Sequence, residues 1–442
     1  MSTWSARRIF VSLLFCGCLP QKTGSTCGPG THDEDGVCVA DAPAGDDTGE
    51  PTGEGGGSDG GGSEGGGDGG SEGGTDTGAE GGGGDSGSDG SGTDGGGSDG
   101  GSEGGGDGGS DSGASGDYEV CASGGAPYTD LQDAIDDASD GDTIRVCSGT
   151  YSWVEIDRLE LTLEGEDADT TFIDGDIHAG IAATDSTLVL SGFSIKGARN
   201  SDISAQGLYL KDSSATVTDV IFEGSADSGY TTLMDASDVT FSDVTFRNNQ
   251  ASGLVLSLNS GSVMLRHSQL YDNTGASDSV LMLYVDRGVT AEVSNNLFYA
   301  QDGTSTSGGG IHLYSTSDAW VYNNVFYQLP GYCGVLIAGE GVNFQNNIVM
   351  KGSGYTLCLN TADIGTVEYN LVEGYSSPYG FKLDATNLDV APAFTDPDAG
   401  DFTLDAGFSE AIDAGNPLSG YNDPDGTRND LGAYGGPLGS AW

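Results

Sequence analysis

Basic residues are scarce in this chain: 14 Lys and Arg stand against 68 Asp and Glu, a formal net charge of −54 over 442 residues. A surface of that sign excludes nucleic acid and anionic lipid as partners, because both are bound through clustered cations. Solvent, cations and neutral glycans remain as counterparts, and the acidity also favours solubility outside the cell. Long apolar runs are missing too. Ile9 to Phe15, behind Arg7 and Arg8, is too short to span a bilayer and predicts an export signal, and no other segment predicts a membrane helix. Membrane contact is therefore expected only through a lipid anchor. No Ser-His-Asp set or nucleotide-binding motif stands out.

The segment Leu14-Phe15-Cys16-Gly17-Cys18 resembles the processing site of bacterial lipoproteins, which makes Cys18 the expected lipidation site. Phe15 and Cys16 depart from the small residues usual there, Cys16 competes for the role, and plain secretion is the alternative. Arg7-Arg8 before an apolar run also resembles a twin-arginine signal. The localisation expected is a bacterial outer membrane lipoprotein or the extracellular surface. Six cysteines remain beyond the signal, an even number that favours disulfides in an exported chain. Sequence proximity suggests Cys27 with Cys38, Cys121 with Cys147 and Cys333 with Cys358, and leaves other connectivities open.

After the 1–18 signal, residues 19–43 form a small Cys-containing segment. Residues 44–116 are almost wholly Gly, Ser, Asp, Glu and Thr. They lack the apolar side chains that would offset ordering entropy, so a disordered tether spanning roughly 45 Å is expected. Composition changes at Tyr118. Thr129-Asp-Leu-Gln132 has the form of a capping box and predicts a short helix over 130–139. From Leu190 one six-residue pattern then recurs, starting at Leu190, Val217, Phe241, Leu265, Val293, Val321, Phe344 and Val367. The intervals are 27, 24, 24, 28, 28, 23 and 23 residues, the period of a coil of about 25. Further strands such as Gly207-Leu-Tyr-Leu210 and Gly310-Ile-His-Leu313 lie between the copies, giving about three strands per coil. The fold expected is all-β, a right-handed parallel β-helix of about ten coils over 117–386 with a short N-terminal capping helix. Residues 387–442, rich in Pro, Asp and Gly, are expected to pack on it.

Asp130 to Ile135, Asp140-Gly-Asp-Thr-Ile-Arg-Val-Cys147-Ser-Gly-Thr-Tyr151 and Ile173-Asp-Gly175 resemble the opening of pectin-lyase-like right-handed parallel β-helices. Ala391-Pro-Ala-Phe394, Gly400-Asp-Phe-Thr-Leu404 and Asp430-Leu-Gly-Ala-Tyr434-Gly-Gly436 resemble the carboxy-terminal segment called choice-of-anchor Q. The first resemblance implies the fold and little about activity, since that superfamily holds lyases, hydrolases, esterases, epimerases and adhesins. The calcium aspartates of pectate lyases and the polygalacturonase motif set do not appear as such.

Stacked coils turn sequence offsets into columns about 4.8 Å apart. Three residues after each start stand Phe193, Val220, Val244, Ser268, Asn296, Asn324, Asn347 and Asn370, read as an inward asparagine ladder. Two residues after each start stand Gly192, Asp219, Asp243, His267, Asn295, Asn323, Asn346 and Tyr369. All but Tyr369 are residue types that tolerate a left-handed turn, which accounts for the stripe. Asp219, Asp243 and His267 with Arg266 form the alternative catalytic set, an acid, a base and a cation. Six residues after the start the side chain turns outward, and there stand Tyr271, Tyr299 and Tyr327, a stacking platform for sugar rings unless the 387–442 segment covers it. Leu297, Val325, Ile348 and Leu371 form an apolar outward column beside it. Asp423, Asp425, Asn429 and Asp430 surround a glycine in the manner of a calcium loop that lacks its bidentate acid; an Asp-rich turn is the alternative. No other cofactor is expected. The function expected is an exported, surface-displayed, non-catalytic protein that binds a polysaccharide or cell-surface glycan or acts in adhesion. A polysaccharide lyase or glycoside hydrolase is the alternative.

Overall fold

The computed structural model describes residues 31–34 and 37–40, and residues 117–442 apart from 198–204, 227–228, 276–280, 287, 300–309, 314–318, 340, 361–363 and 408. The first stretch is one antiparallel hairpin, Thr31–Glu34 against Val37–Ala40. The signal with Cys18, the 44–116 tract and the Cys27–Cys38 pair lie outside the described residues. Among the described residues no helix is long and apolar enough to cross a membrane.

From Asp117 the chain winds into a right-handed parallel β-solenoid of about nine turns. Each full coil contributes to three stacked parallel sheets. In one coil, residues 187–191 pair with Glu160–Gly165 and 214–218 in the first sheet. Residues 194–196 pair with Thr171–Asp174 and 221–223 in the second. Ala205–Lys211 pairs with Ile181–Thr184 and Tyr230–Ser242 in the third. The eight pattern starts fall in one register column, from Leu190 opposite Val217 to Phe344 opposite Val367. Period-two alternation sends Leu190, Ile195, Leu208 and Leu210 into the interior, where none is exposed. Phenylalanines stack along the axis, Phe222 on Phe246 and Phe298 on Phe326, each pair with ring centroids 4.9 Å apart. A buried side chain of this size contributes roughly 1.5–3 kcal/mol, so the stacked core is the main favourable term.

Corners join the sheets. At the corner from first to second sheet, the residue two after every repeat start is left-handed, with φ from 48° at His267 to 73° at Gly192 and 56° even at Tyr369. Gly192 has a further reason, since a Cβ there would lie 2.4 Å from the Gly165 carbonyl oxygen. The next position forms the asparagine ladder. Asn324 Oδ1 accepts from the backbone N–H and Nδ2 of Asn296, and Asn347 and Asn370 repeat the arrangement one and two coils on. Ser268 begins this ladder and Asn387 ends it, so the segment after residue 386 starts as a continuation of the last coil. Two shorter ladders hold the other corners: Ser225, Asn249 and Asn273, and Ser186, Ser213 and Ser237.

The capping helix is Leu131–Asp137, and its N-cap is Asp130, whose side chain accepts from the Gln132 N–H at 2.9 Å. The expected capping box on Thr129 does not form. Gln132 turns instead to the strand Val154–Asp157, donating to the Glu155 carbonyl and accepting from its N–H. Leu131, Ala134 and Ile135 close the open end of the core. The Cys121–Cys147 and Cys333–Cys358 disulfides are formed and tie strands of successive coils.

Residues beyond Leu388 fold back over the second sheet. An antiparallel hairpin, Phe394–Asp396 with Asp401–Leu404, brings Phe402 onto the outward column Leu297, Val325, Ile348 and Leu371. Ala411, Leu431 and Ala433 complete this outer core, and Phe402 is 1% exposed.

Candidate functional site

The left-handed corner column has two uses along its length. On the coils of Asp219 and Asp243 it is open, with both carboxylates exposed and Asp243 accepting from Ser242 Oγ. From His267 onward it receives the C-terminal segment. A ring nitrogen of His267 lies 3.0 Å from the Leu438 carbonyl oxygen, and Trp442 packs edge-on at 6.3 Å. Asn295 donates to the carbonyls of Ala433 and Gly435; Asn323 donates to those of Asp430 and Gly432. Asn346 accepts from the Asn416 N–H. Arg266 stands on the first sheet, in register between Ser242 and Ser294. The catalytic-looking set Asp219, Asp243, His267 and Arg266 is thus split between an open convex corner and a docking edge. A left-handed backbone accounts for Asp219, Asp243 and His267, and His267 also meets the tail; Arg266 has neither role.

The tyrosine column is a stack but not an open platform. Tyr271 and Tyr299 lie parallel, with ring centroids 5.2 Å apart. Phe402 sits 5.0 Å from Tyr299 and 5.1 Å from Tyr327, and Phe394 reaches Tyr327 at 6.2 Å. Burial pushes the Tyr299 hydroxyl up to about 12. The physical reason for this cover is the neighbouring apolar column: four large side chains facing water would be unfavourable, and the tail removes them from it. Tyr271 lies at the edge of the cover, in register with Arg247, which is itself paired with Glu223 at 3.1 Å.

The Asp-rich turn uses its oxygens internally. Asp423 accepts from the N–H groups of Gly436 and Asp430, Asp425 from the N–H and hydroxyl of Thr427, and Asp430 from the Asp413 N–H. Asn429 exchanges side-chain hydrogen bonds with Asn323. The aspartate bonds brace the turn itself, and Asn323, bonded to Asn429 and to the Asp430 carbonyl, joins it to the solenoid. Burial raises Asp423 to about 6, and Asp430 in the same direction.

One outward column was not read from the sequence. On the third sheet, register aligns Ala182, Tyr209, Leu233, Leu256, Tyr284, His312, Leu336 and Cys358. Their strand neighbours, such as Leu208 and Leu210, fill the core, so this column faces out. Leu233 and Leu256 are buried in a small cluster ringed by Tyr209, Tyr230, Leu258 and Tyr284. Burial raises the Tyr209 hydroxyl and pushes His312 down to about 4, which leaves its imidazole neutral at pH 7. The column therefore carries tyrosine rings and leucines on the outer side of the third sheet, with a largely covered His312 in register beside Tyr284. Alternation within Gly207-Leu-Tyr-Leu210 and Gly310-Ile-His-Leu313 was the signal that could have found it.

The family described as "Right handed beta helix region" matches residues 161–298 and 278–387. Among solved structures, the pectate lyase Pel9A is 13% identical, with 72% of this chain and 96% of that chain covered at a TM-score of 0.40. A pectin methylesterase from carrot is 12% identical, covering 61% and 88% at 0.38. The mannuronan C-5 epimerase AlgE6 A-module of Azotobacter vinelandii is 15% identical, covering 56% and 80% at 0.29. No curated protein matches the chain.

Proposed function

The chain belongs to the right-handed β-helix family, and from that premise we propose that it is an exported, non-catalytic protein that binds a neutral glycan along its solenoid. The observation that carries this reading is the outward cluster of the third sheet, with Tyr209, Tyr230 and Tyr284 around Leu233 and Leu256. A cluster rimmed by tyrosines on the outside of a solenoid presents ring faces that stack on the C–H faces of sugar rings. The net charge of −54 disfavours acidic chains as ligands. Export is supported by the Arg7-Arg8 leader and by two formed disulfides, which persist in oxidising compartments.

Titration of the whole protein with neutral oligosaccharides, with products followed by chromatography, tests the reading. Saturable binding without cleavage is expected, weakened about tenfold in Tyr209→Ala and Tyr284→Ala. Binding that ignores both substitutions, or glycan cleavage, would overturn it.

A further inference from the structure

The outward face of the first sheet carries mainly hydroxyls in its early coils, Thr187, Ser191, Ser214, Thr216, Thr218 and Thr240, with an exposed Val189 among them. At Trp320 this changes. Its indole is 40% exposed in the middle of the sheet, in register with Glu292 on one side and Asn343 on the other. A large exposed aromatic on a flat strand face has no packing reason, since Ala319 and Val321 beside it already fill the core.

Glu292 is held rather than free to swing. Tyr322 donates its hydroxyl to Glu292 Oε1 at 2.7 Å, and Ser294 Oγ lies 3.5 Å from the same atom. Burial, and then this hydrogen bond, raise the Tyr322 pKa, so the phenol keeps the proton that orients the carboxylate. Glu292 and Asn343 stand two register steps apart, about 9.6 Å, with the indole midway. That is an apolar plate flanked by an acceptor and an amide. A pyranose ring fits this chemistry, with its C–H face on the indole, one edge hydroxyl donating to the carboxylate and another meeting the amide. A quaternary ammonium would call for a cage of several aromatic faces, and among the described residues Trp320 presents the one exposed ring on this face.

We infer that Trp320, flanked by Glu292 and Asn343, is a second carbohydrate-binding site that takes one neutral pyranose ring. It lies on a different sheet from the tyrosine strip, so the protein would engage two glycan segments at once, with the gain in avidity that two sites confer.

The test uses the full chain with cellohexaose, laminarihexaose and chitohexaose, followed by calorimetry and by tryptophan fluorescence. At least one hexasaccharide is expected to shift the emission and shield it from acrylamide. Trp320→Ala should remove that response, and Glu292→Gln should weaken binding about tenfold. Trp320→Phe, which keeps an aromatic plate, should retain part of the affinity, and equal melting temperatures would show that the variants fold. The inference fails if the hexasaccharides bind with affinity and stoichiometry unchanged by Trp320→Ala and Glu292→Gln, or if none of them binds. It also fails if tetramethylammonium, and not a sugar, gives the Trp320-dependent signal. Sugar binding lost in Tyr284→Ala but kept in Trp320→Ala would leave the third-sheet reading standing and remove this one. The reverse pattern would do the opposite.

Discussion

Replacing Asn347 with alanine removes the middle rung of the corner ladder, and its cost can be worked from the bonds lost. Asn347 is fully buried. Its Oδ1 accepts from the Asn324 N–H at 3.0 Å and from Asn324 Nδ2 at 2.9 Å. Its Nδ2 donates to the carbonyls of Val321 and Gln345 and to Asn370 Oδ1. Alanine leaves the Asn324 N–H with no partner in a place water does not reach, and the Val321 carbonyl loses a donor. A buried polar group left unsatisfied costs about 1–3 kcal/mol, so the variant should lose about 3–5 kcal/mol. That is a large share of the 5–15 kcal/mol typical of a folded domain. Urea unfolding followed by circular dichroism measures it, with attention to multistate behaviour, because stacked coils need not melt together. A loss below about 1 kcal/mol would refute the view that this stripe is a structural ladder.

Three further outcomes are expected. Phe402→Ala should destabilise the tail by about 3–5 kcal/mol and open residues 388–442 to limited proteolysis, since the ring sits between Tyr299, Tyr327 and Phe394; a tail that stays resistant contradicts the outer core. Asp423 has a folded pKa near 6 against an ordinary value of 3.8, so the folded state holds this proton more tightly than the unfolded one. Its contribution is complete below about pH 4 and is lost as pH rises through about 6. Wild type should therefore lose stability relative to Asp423→Asn over that window, and a melting-temperature difference that stays flat with pH would argue against it. Asp243→Asn should stay within about 0.5 kcal/mol of wild type, because asparagine tolerates a left-handed turn, whereas Asp243→Val should cost about 1–2 kcal/mol. Equal stability of the two variants would remove the backbone explanation of that column.

The coils were legible because one backbone requirement recurs at near-constant spacing. Inward Leu190, Val217 and Phe241, left-handed Asp219 and Asp243, and the ladder from Asn296 to Asn370 all follow from it. Tyr369 was the one residue that did not fit the left-handed stripe by type, and it adopts the conformation all the same, at φ 56°. The backbone decided there, not the side chain. The tail was legible only as a possible cover. Its contacts have no period and bridge great chain distances, His267 to Leu438 across 171 residues and Asn323 to Asp430 across 107. For the same reason the asparagines of the left-handed column could be read as turn residues but not as partners of the tail. The third-sheet column, Tyr209, Leu233, Leu256, Tyr284, His312 and Leu336, recurs about as evenly as the repeat itself, and it was hidden because its residue types change from coil to coil. Trp320 was passed over because a single tryptophan shows no pattern.

The most direct test of the central claim is a titration of the whole protein with neutral oligosaccharides, run in parallel on wild type, Tyr284→Ala and Asp243→Asn with the products analysed. Saturable binding that Tyr284→Ala weakens and Asp243→Asn leaves unchanged, with the sugar recovered intact, is the predicted result. Cleavage by wild type that disappears in a folded Asp243→Asn protein would contradict it.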